Sequence, residues 1–201
     1  MTAYTYDNLI CFEIGSKYEG SGLSNILVIV GSERKNGNTK ILAEHFAKGA
    51  GVHNKVEIVT VSDYNICPCK GCNYCYTSEE NKCCLEDDMN LIYDKLRSTD
   101  ILIMASPVYF YGISSQLKSI VDRLHTSMRK TFKVRKLGLL LVAATDIPKL
   151  FDPIIMQYDM VCDFFKLESV GIVTAGGVKD EGDIIGKDAL SSAYEMGKKI
   201  E

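Results

Sequence analysis

The sequence lacks the segments that would place the chain in a membrane, in the secretory pathway or on nucleic acid. No apolar run approaches the roughly 20 residues that a membrane-spanning helix needs. Residues 1–20 show neither a basic start nor a continuous apolar stretch, so we expect no signal peptide. The net charge of -3 comes from 23 basic and 26 acidic residues, without the basic excess of a general nucleic-acid binder. We therefore expect a cytoplasmic protein with no membrane and no nucleic-acid partner.

The motifs of several enzyme classes are also missing. Neither Gly-x-Ser-x-Gly nor His-Glu-x-x-His occurs, so hydrolase chemistry has no support. The glycine patterns of dinucleotide-binding Rossmann folds and of P-loops are absent as well. His45, His53 and His125 share no motif, and we expect surface or packing roles for them. Two other features of the chain remain, a glycine-containing loop and a run of cysteines.

Short apolar runs alternate along the chain with segments that carry apolar residues at helical spacing. Such runs indicate buried strands, and the spacing indicates amphipathic helices. The predicted strands are 25–31, 55–61, 100–105, 137–144 and 169–175, and the predicted helices are 38–50, 87–98, 114–128, 148–165 and 187–200. Strict alternation implies parallel strands joined by right-handed crossovers. We predict an α/β fold with a doubly wound, flavodoxin-like, five-stranded parallel sheet of order 2-1-3-4-5.

We predict one domain preceded by an extension. A length of 201 residues suits a single α/β domain, and no internal repeat, low-complexity segment or convincing linker interrupts it. The domain covers residues 25–201, with a cysteine-rich insertion at 65–86 after the second strand. Residues 1–24 precede the sheet, and their segment 6–14 could form an edge strand or an arm that packs on a neighbouring subunit.

The loop after the first predicted strand has the composition of a phosphate-binding site. It reads Gly-Ser-Glu-Arg-Lys-Asn-Gly-Asn-Thr over residues 31–39 and opens a helix, whose free N–H groups and dipole favour anions. In a doubly wound sheet, ligands bind beyond the carboxyl end of this strand. The candidate phosphate ligands are Ser32, Arg34, Asn36, Asn38 and Thr39. The alternative is a polar turn with an Asn or Thr helix cap.

A second candidate segment, residues 106–112, follows the third predicted strand. Pro107 fixes a turn there, and backbone groups from Val108 to Gly112 could hydrogen-bond the polar edge of a bound aromatic cofactor. Tyr109 or Phe110 could pack on its ring, although an aromatic cluster that closes the core is the alternative. The ends of the fourth and fifth strands, near Thr145 and residue 176, should complete the pocket.

Together these segments resemble the NADPH-dependent FMN reductase group of the flavodoxin-like superfamily. The pattern Gly-Ser-x-Arg-x-x-Gly-Asn-Thr resembles the FMN-phosphate loop of that group, residues 106–112 resemble its flavin-ring loop, and residues 116–123 resemble the helix that follows. The loop at Thr145 departs from the glycine-rich form common in the group. The resemblance implies that FMN binds Ser32, Arg34, Asn36, Asn38, Thr39, Pro107, Val108, Tyr109, Phe110, Gly112 and Thr145. It implies no catalytic side chain, because the flavin itself accepts the hydride.

Six of the eight cysteines fall between Cys67 and Cys84. In a reducing compartment, crowded thiols suggest a metal or redox role more than a disulfide framework. The series C-x2-C-x2-C-x7-C consists of Cys69, Cys72, Cys75 and Cys83. It resembles the motif of the iron–sulfur flavoproteins, which implies that these four residues ligate a 4Fe-4S cluster. Cys84 could replace Cys83, and Cys67 could be a bystander.

Two alternatives to the cluster remain open at this point. The thiols could stay reduced in a structural or redox role, or they could bind zinc, although zinc sites usually use two separated C-x2-C pairs. The two isolated cysteines, Cys11 and Cys162, are expected to be small buried hydrophobes.

The resemblance implies an FMN-dependent oxidoreductase or electron-transfer iron–sulfur flavoprotein. Electrons would come from NAD(P)H or reduced ferredoxin and pass to a small-molecule or protein acceptor, in a homodimer or homotetramer. The alternative is an NAD(P)H-dependent FMN or quinone reductase without a cluster. A protein that only stores or senses flavin is a further possibility. A phospho-receiver domain is disfavoured because Gly31-Ser32 stands where such domains carry acidic residues.

Overall fold

The computed structural model describes residues 22–201 and contains one five-stranded parallel sheet. Its strands are β1 (Asn25–Val30), β2 (Lys55–Thr60), β3 (Ile101–Tyr109), β5 (Lys136–Val142) and β6 (Glu168–Ala175), and a short strand β4 (Gly112–Ile113) pairs antiparallel with the end of β3. The order is β2-β1-β3-β5-β6, and all neighbours are parallel. With β4 set aside, this is the predicted order 2-1-3-4-5, which is confirmed. The expected arm at 6–14 and Cys11 lie outside the described residues.

Helices cover both faces of the sheet. They are α1 (Asn38–Ala50), α2 (Tyr74–Thr77), α3 (Met89–Leu96), α4 (Ser115–Arg123), α5 (Asp152–Phe165) and α6 (Asp188–Lys198), with 3-10 turns at Val61–Asp63 and Ser127–Thr131. Helices α1 and α6 pack on one face, and α3, α4 and α5 pack on the other. Successive side chains of a strand point to opposite faces. In β1, Val28 therefore packs on the α1 and α6 side, while Leu27 and Ile29 pack on the side of α3, α4 and α5. The fold is therefore doubly wound, as the alternation of elements predicts.

The four predicted helices that follow α1 are all shorter in the structure than the sequence pattern predicts, and α5 and α4 show the reasons. Helix α5 begins at Asp152 rather than at Pro148, because Lys149 adopts a left-handed conformation with φ 63° and Pro153 occupies the first helical turn. Helix α4 ends at Arg123, since Thr126 is extended with φ -139°. Strand β3, in contrast, runs four residues beyond the predicted end at residue 105, because its last residues pair with β4.

The candidate site lies at the carboxyl edge of the sheet. Strands β1 and β3 are neighbours, with Val30 opposite Ala105, and the backbone N–H of Gly31 donates to the Ala105 carbonyl at 2.7 Å. The loops that follow these two strands therefore begin side by side. Among residues 22–201, even the longest helix, α5 with 14 residues, falls short of a bilayer span.

Candidate functional site

Residues 32–39, which we call the anion loop, lead into helix α1 without a side-chain cap. Gly37 occupies the N-cap position, and no side chain of residues 22–201 hydrogen-bonds the helix start. A Cβ on Gly37 would lie 2.8 Å from Cβ of Arg34, so the loop requires glycine here. The backbone N–H groups of Asn38 and Thr39 and the positive end of the dipole are thus available to an anion, whereas the N–H of Lys40 donates to the Gly37 carbonyl at 2.9 Å. An Asn or Thr cap, the alternative from the sequence, does not form.

The polar side chains of the anion loop are divided between the interior and the surface. Ser32 and Thr39 are buried beside the helix start, with 4% and 3% of their surface exposed. Arg34 and Asn36 are exposed, and the Ser32 hydroxyl accepts a 3.3 Å hydrogen bond from the Arg34 backbone N–H. This arrangement offers hydroxyl and guanidinium donors around the start of α1, which suits a phosphate.

The Asn38 side chain is engaged elsewhere. Its amide nitrogen donates to the carbonyls of Val178 and Asp180 at 3.2 and 2.7 Å, and its oxygen accepts from the N–H groups of Gly182 and Ile184. All its hydrogen-bonding capacity is therefore used to hold the β6–α6 connection against the helix start. The side chain thus positions the loop, and only its backbone N–H remains on the face expected for the phosphate.

Sequence reasoning missed the segment 178–184 as part of this site. Besides its four bonds to Asn38, it accepts a 3.1 Å hydrogen bond from the guanidinium of Arg34 at the Lys179 carbonyl. Asp183 folds it internally by accepting from the N–H groups of Lys179 and Asp180. A clustering of Gly and Asp between residues 176 and 186 was the available signal.

Residues 106–113 form a hairpin, which we call the aromatic hairpin. Val108 pairs with Ile113 and Tyr109 with Gly112, so that Phe110 and Tyr111 make a two-residue turn. Both turn residues have positive φ, 49° and 65°, the pattern of a type I′ turn that normally uses Asn and Gly. Phe110 is 99% exposed. Bulky aromatic side chains in a strained, exposed turn indicate a functional constraint.

The base of the aromatic hairpin is rigid. The buried Ser106 hydroxyl accepts from the Ser114 N–H at 2.9 Å, and the Ser114 hydroxyl caps α4 by accepting from the Leu117 N–H at 3.2 Å. A Cβ on Gly31 would lie 2.9 Å from the Ser114 hydroxyl oxygen, which shows how closely the two loops meet. Thr145 is exposed beyond β5, and its carbonyl abuts Gly176 after β6. The loops after β1, β3, β5 and β6 thus share one edge.

A cavity of about 230 Å³ opens beside this edge. It is lined by Glu33, Val61, Tyr64, Asn65, Ile66, Ser115, Gln116 and Ser119. Of the anion loop, Glu33 lines the cavity. The tip of the aromatic hairpin and Thr145 do not line it. The cavity therefore lies on the β2 side of the anion loop, away from the position expected for the flavin ring.

Residues 65–86, the cysteine loop, are held by the end of α4 and the segment after it. The Arg123 guanidinium donates to the Cys67 carbonyl at 3.2 Å, and the Tyr76 hydroxyl lies 3.2 Å from Nδ1 of His125. The Ser127 hydroxyl donates to the Cys75 carbonyl. These contacts fix the backbone of the loop while most of its thiols remain at the surface.

Two cysteine sulfurs meet in this arrangement. Sγ of Cys72 lies 3.4 Å from Sγ of Cys84, and both residues are exposed. The Tyr74 backbone N–H, followed by the Cys84 thiol, lowers the pKa of Cys72, while the same thiol contact raises the pKa of Cys84. Across residues 22–201, no three His, Cys, Asp or Glu side chains are arranged as a metal site. Cys162 is buried, as expected.

A buried ion pair closes the cysteine loop. Arg123 and Asp87 have side chains only 2% and 3% exposed and form a salt bridge, and the Asp87 carboxylate also accepts from the N–H groups of Cys67 and Met89. Burial opposes the charge of Asp87, but Arg123 and these N–H donors outweigh it and lower the pKa of Asp87. The pair joins the entry of the cysteine loop to α3 and α4.

Comparisons with known proteins agree with this architecture. The sequence profile of the NADPH-dependent FMN reductase family matches residues 24–147, which contain the anion loop, the cysteine loop and the aromatic hairpin. An iron-sulfur flavoprotein of Methanocaldococcus jannaschii is 33% identical over 87% of this chain and 94% of that protein. A Bacillus subtilis protein that bears the name of an NAD(P)H-dependent FMN-containing oxidoreductase is 29% identical over 88% of this chain and 98% of its own length.

A solved structure gives the same fold. The NAD(P)H:quinone oxidoreductase from Methanothermobacter marburgensis superposes with a TM-score of 0.71, at 14% identity, over 90% of this chain and all of that one. Its likeness concerns the fold alone. The family match and the relatives support the FMN-dependent oxidoreductase function that the sequence predicts. The chain belongs to the NADPH-dependent FMN reductase family.

Proposed function

We propose that the anion loop binds the phosphate of FMN and that the aromatic hairpin, with Thr145, contacts the flavin ring. The observation that carries this proposal is the start of α1, which presents backbone N–H groups between the buried side chains of Ser32 and Thr39. A dianionic phosphate suits this position because helix N-termini favour negative charge. Arg34 and Asn36 add donors from the surface side.

Bound FMN supplies the hydride or electron chemistry of the protein. The residues of the chain bind and orient it. Ser32 and Thr39 would donate hydroxyl hydrogens to the phosphate, and the backbone of Val108 and Gly112 would hydrogen-bond the polar edge of the ring. Tyr109 and Phe110 would pack on its apolar part. In this proposal no side chain acts as a general acid or base.

Thr39→Val tests the phosphate site. It keeps the shape of a buried side chain and removes one donor, and we expect about a tenfold or greater loss of FMN affinity by fluorescence titration. Thr99→Val is the matched control, because Thr99 is also buried (4% exposed) but donates to Lys95 at the opposite edge of the sheet. Equal FMN affinity in both variants contradicts the proposed phosphate site.

We further propose that the cysteine loop ligates a 4Fe-4S cluster through Cys69, Cys72, Cys75 and Cys83. The donor set supports this, since thiolates on one glycine-containing loop are typical cluster ligands. So does the name of the archaeal relative, an iron-sulfur flavoprotein. The contact between Cys72 and Cys84 keeps Cys84 as the competing fourth ligand.

Iron and acid-labile sulfide in anaerobically purified protein test the cluster. We expect about four of each per chain, lost in Cys72→Ala. Comparison of Cys83→Ala with Cys84→Ala identifies the fourth ligand, because iron and sulfide are lost only when the cysteine that ligates the cluster is replaced. Zinc, or no metal under strict anaerobiosis, refutes the cluster. That result favours the second candidate, an NAD(P)H-dependent FMN or quinone reductase without a cluster, which the name of the Bacillus subtilis relative supports.

The remaining partners belong to the same proposal. We infer that electrons arrive from NAD(P)H or reduced ferredoxin and leave to a small-molecule or protein acceptor in the cytoplasm. A homodimer or homotetramer is supported by exposed Met156, Met160 and Phe164, which lie four residues apart along α5 and form an apolar stripe. Light scattering at rising protein concentration tests the assembly, and Met160→Glu is expected to dissociate it.

A further inference from the structure

Three buried polar atoms at the end of α4 carry a further inference. Among residues 22–201, the buried side-chain atoms that have no hydrogen-bond partner are Nε and Nη2 of Arg123 and Oγ1 of Thr126. Unpaired buried donors are costly, and in native structures each calls for a ligand, an ion or another explanation. All three belong to one short segment under the cysteine loop.

The ion pair with Asp87 occupies only one side of the guanidinium. Nη1 donates to both the Asp87 carboxylate and the Cys67 carbonyl. Nε and Nη2, which we call the open edge of Arg123, form the parallel two-donor fork with which arginine binds anions. Because Nη1 alone binds Asp87, the two parallel donors Nε and Nη2 remain for a second acceptor.

The open edge belongs to a side chain that lies against the cysteine loop. Nη1 of the same guanidinium donates to the Cys67 carbonyl at 3.2 Å, and the Ser127 hydroxyl, four residues further on, donates to the Cys75 carbonyl. Tyr93 donates to the Arg123 carbonyl at 2.8 Å and so holds the end of α4 in place. Of the groups that the cysteine loop carries, cluster-bound sulfur is the anionic acceptor that this fork of donors suits.

We propose that Arg123 is a positioning residue for the cysteine centre, its open edge donating hydrogen bonds to the sulfur atoms of the bound cluster. The inference rests on the proposed cluster. A thiolate-ligated cluster is anionic and gains negative charge on reduction, so N–H donors at its sulfurs stabilise the reduced form more than the oxidised form. Arg123 thus holds the reduction potential of the centre higher than the four thiolates alone would set it.

Arg123→Lys tests this role. Lysine keeps the charge that faces Asp87 and removes the open edge. We expect the reduced form to lose stability by about tenfold in equilibrium constant, a downward shift of about 59 mV for a one-electron couple, in a mediated titration followed by electron paramagnetic resonance. The iron and sulfide content is expected to stay that of the wild type.

Asp87→Asn is the matched control. It breaks the buried ion pair, which Arg123→Lys preserves in charge, and it keeps the open edge, so a purely structural role of Arg123 predicts a shift in Asp87→Asn at least equal to that in Arg123→Lys. We expect no downward shift in Asp87→Asn, because loss of a negative charge near the centre favours reduction. If Arg123→Lys does not fold, the pair replacement Arg123→Met with Asp87→Leu removes both charges in an apolar form that buried pairs often tolerate.

The outcomes separate the inference from the proposal on which it rests. A lower potential in Arg123→Lys or in the pair replacement, but not in Asp87→Asn, supports the role of Arg123. Wild-type protein with a full cluster and an unchanged potential in these variants overturns the inference alone, as does an equal shift in Asp87→Asn. Wild-type protein without iron and sulfide overturns the cluster proposal and the inference together.

Discussion

The amide nitrogen of Asn38 donates to the carbonyl oxygen of Asp180 at 2.7 Å, across 142 residues of sequence. This contact and its three companions tie the start of α1 to the segment 178–184. We expect Asn38→Ala to lower the free energy of unfolding by about 2–3 kcal/mol, since several buried partners lose their hydrogen bonds together. FMN affinity should fall as well, by about tenfold, because the binding loop is no longer held in place.

Asn54→Ala separates these two effects. Asn54 is also a buried asparagine, with hydrogen bonds to Ser24, Ala50 and Ile200, but it lies at the opposite edge of the sheet. Urea unfolding should show a similar loss of stability, while flavin titration should show unchanged affinity. A loss of FMN binding in both variants would mean that affinity follows stability rather than the position of the loop.

The aromatic hairpin carries backbone strain that substitution can relieve. Phe110→Asn combined with Tyr111→Gly gives the residues that a type I′ turn prefers, and we expect a gain of about 1 kcal/mol in stability. We expect FMN affinity to fall by about tenfold if these rings cover the flavin. Lys166→Gly relieves a positive φ of 55° at the end of α5, and flavin titration should show no change there. Unaltered affinity in the hairpin variant would remove the aromatic residues from the site.

Tyr158 makes stability sensitive to alkaline pH. Burial, the largest cause, raises the pKa of Tyr158 to about 12, and its hydroxyl donates to the Leu137 carbonyl at 2.6 Å. Because the folded pKa exceeds the unfolded pKa of about 10, the contribution is complete below pH 10 and is lost as the pH rises toward 12. We expect the wild type to lose about 2–3 kcal/mol from this residue over that range.

Tyr158→Phe is expected to reduce the fall of the unfolding free energy between pH 10 and 12. Its stability at neutral pH should be lower by about 1 kcal/mol for the missing hydrogen bond. Between pH 6 and 9 its unfolding free energy should run parallel to that of the wild type. Urea titrations at a series of pH values decide the point, and an equal alkaline slope in both proteins would assign the sensitivity to other groups.

The contact between Cys72 and Cys84 predicts which disulfide forms in metal-free protein. Their sulfurs lie 3.4 Å apart, and the lowered pKa of Cys72 favours the attacking thiolate. Mild oxidation with diamide should therefore join these two residues, with loss of two hydrogens seen by mass spectrometry. Cys84→Ala should abolish the product and Cys83→Ala should preserve it. A bond between Cys72 and Cys83 would be the contrary result.

The sheet could be predicted from the sequence because strands and helices are indicated by patterns among residues that are close together in the chain. The apolar run at 25–31 and the helical spacing at 38–50 each depend on neighbouring residues, and the predicted limits of α1 are those of the structure. The full hydrogen-bonding of Asn38 could not be predicted, since its partners lie more than 140 residues away. The turn at Phe110 and Tyr111 lacks the Asn-Gly pair that type I′ turns prefer, so the sequence contained no motif from which the turn could be predicted.

The candidate site was predictable to a similar degree. Glycine, serine and threonine at a strand-to-helix junction identified the anion loop, whereas the contacts that hold the cysteine loop join residues 49 to 56 positions apart. The neighbours Asp122 and Arg123 do not pair with each other. Arg123 pairs with Asp87, 36 positions away, while Asp122 binds Lys118 on the surface.

Helix α4 has a mechanical consequence for both loops. Its first turn is capped by Ser114 at the foot of the aromatic hairpin, and its last residue, Arg123, holds the cysteine loop. A helix of nine residues is a stiff rod about 13 Å long. A shift of one loop that tilts this helix therefore also displaces the other loop, because both are attached to the same stiff element.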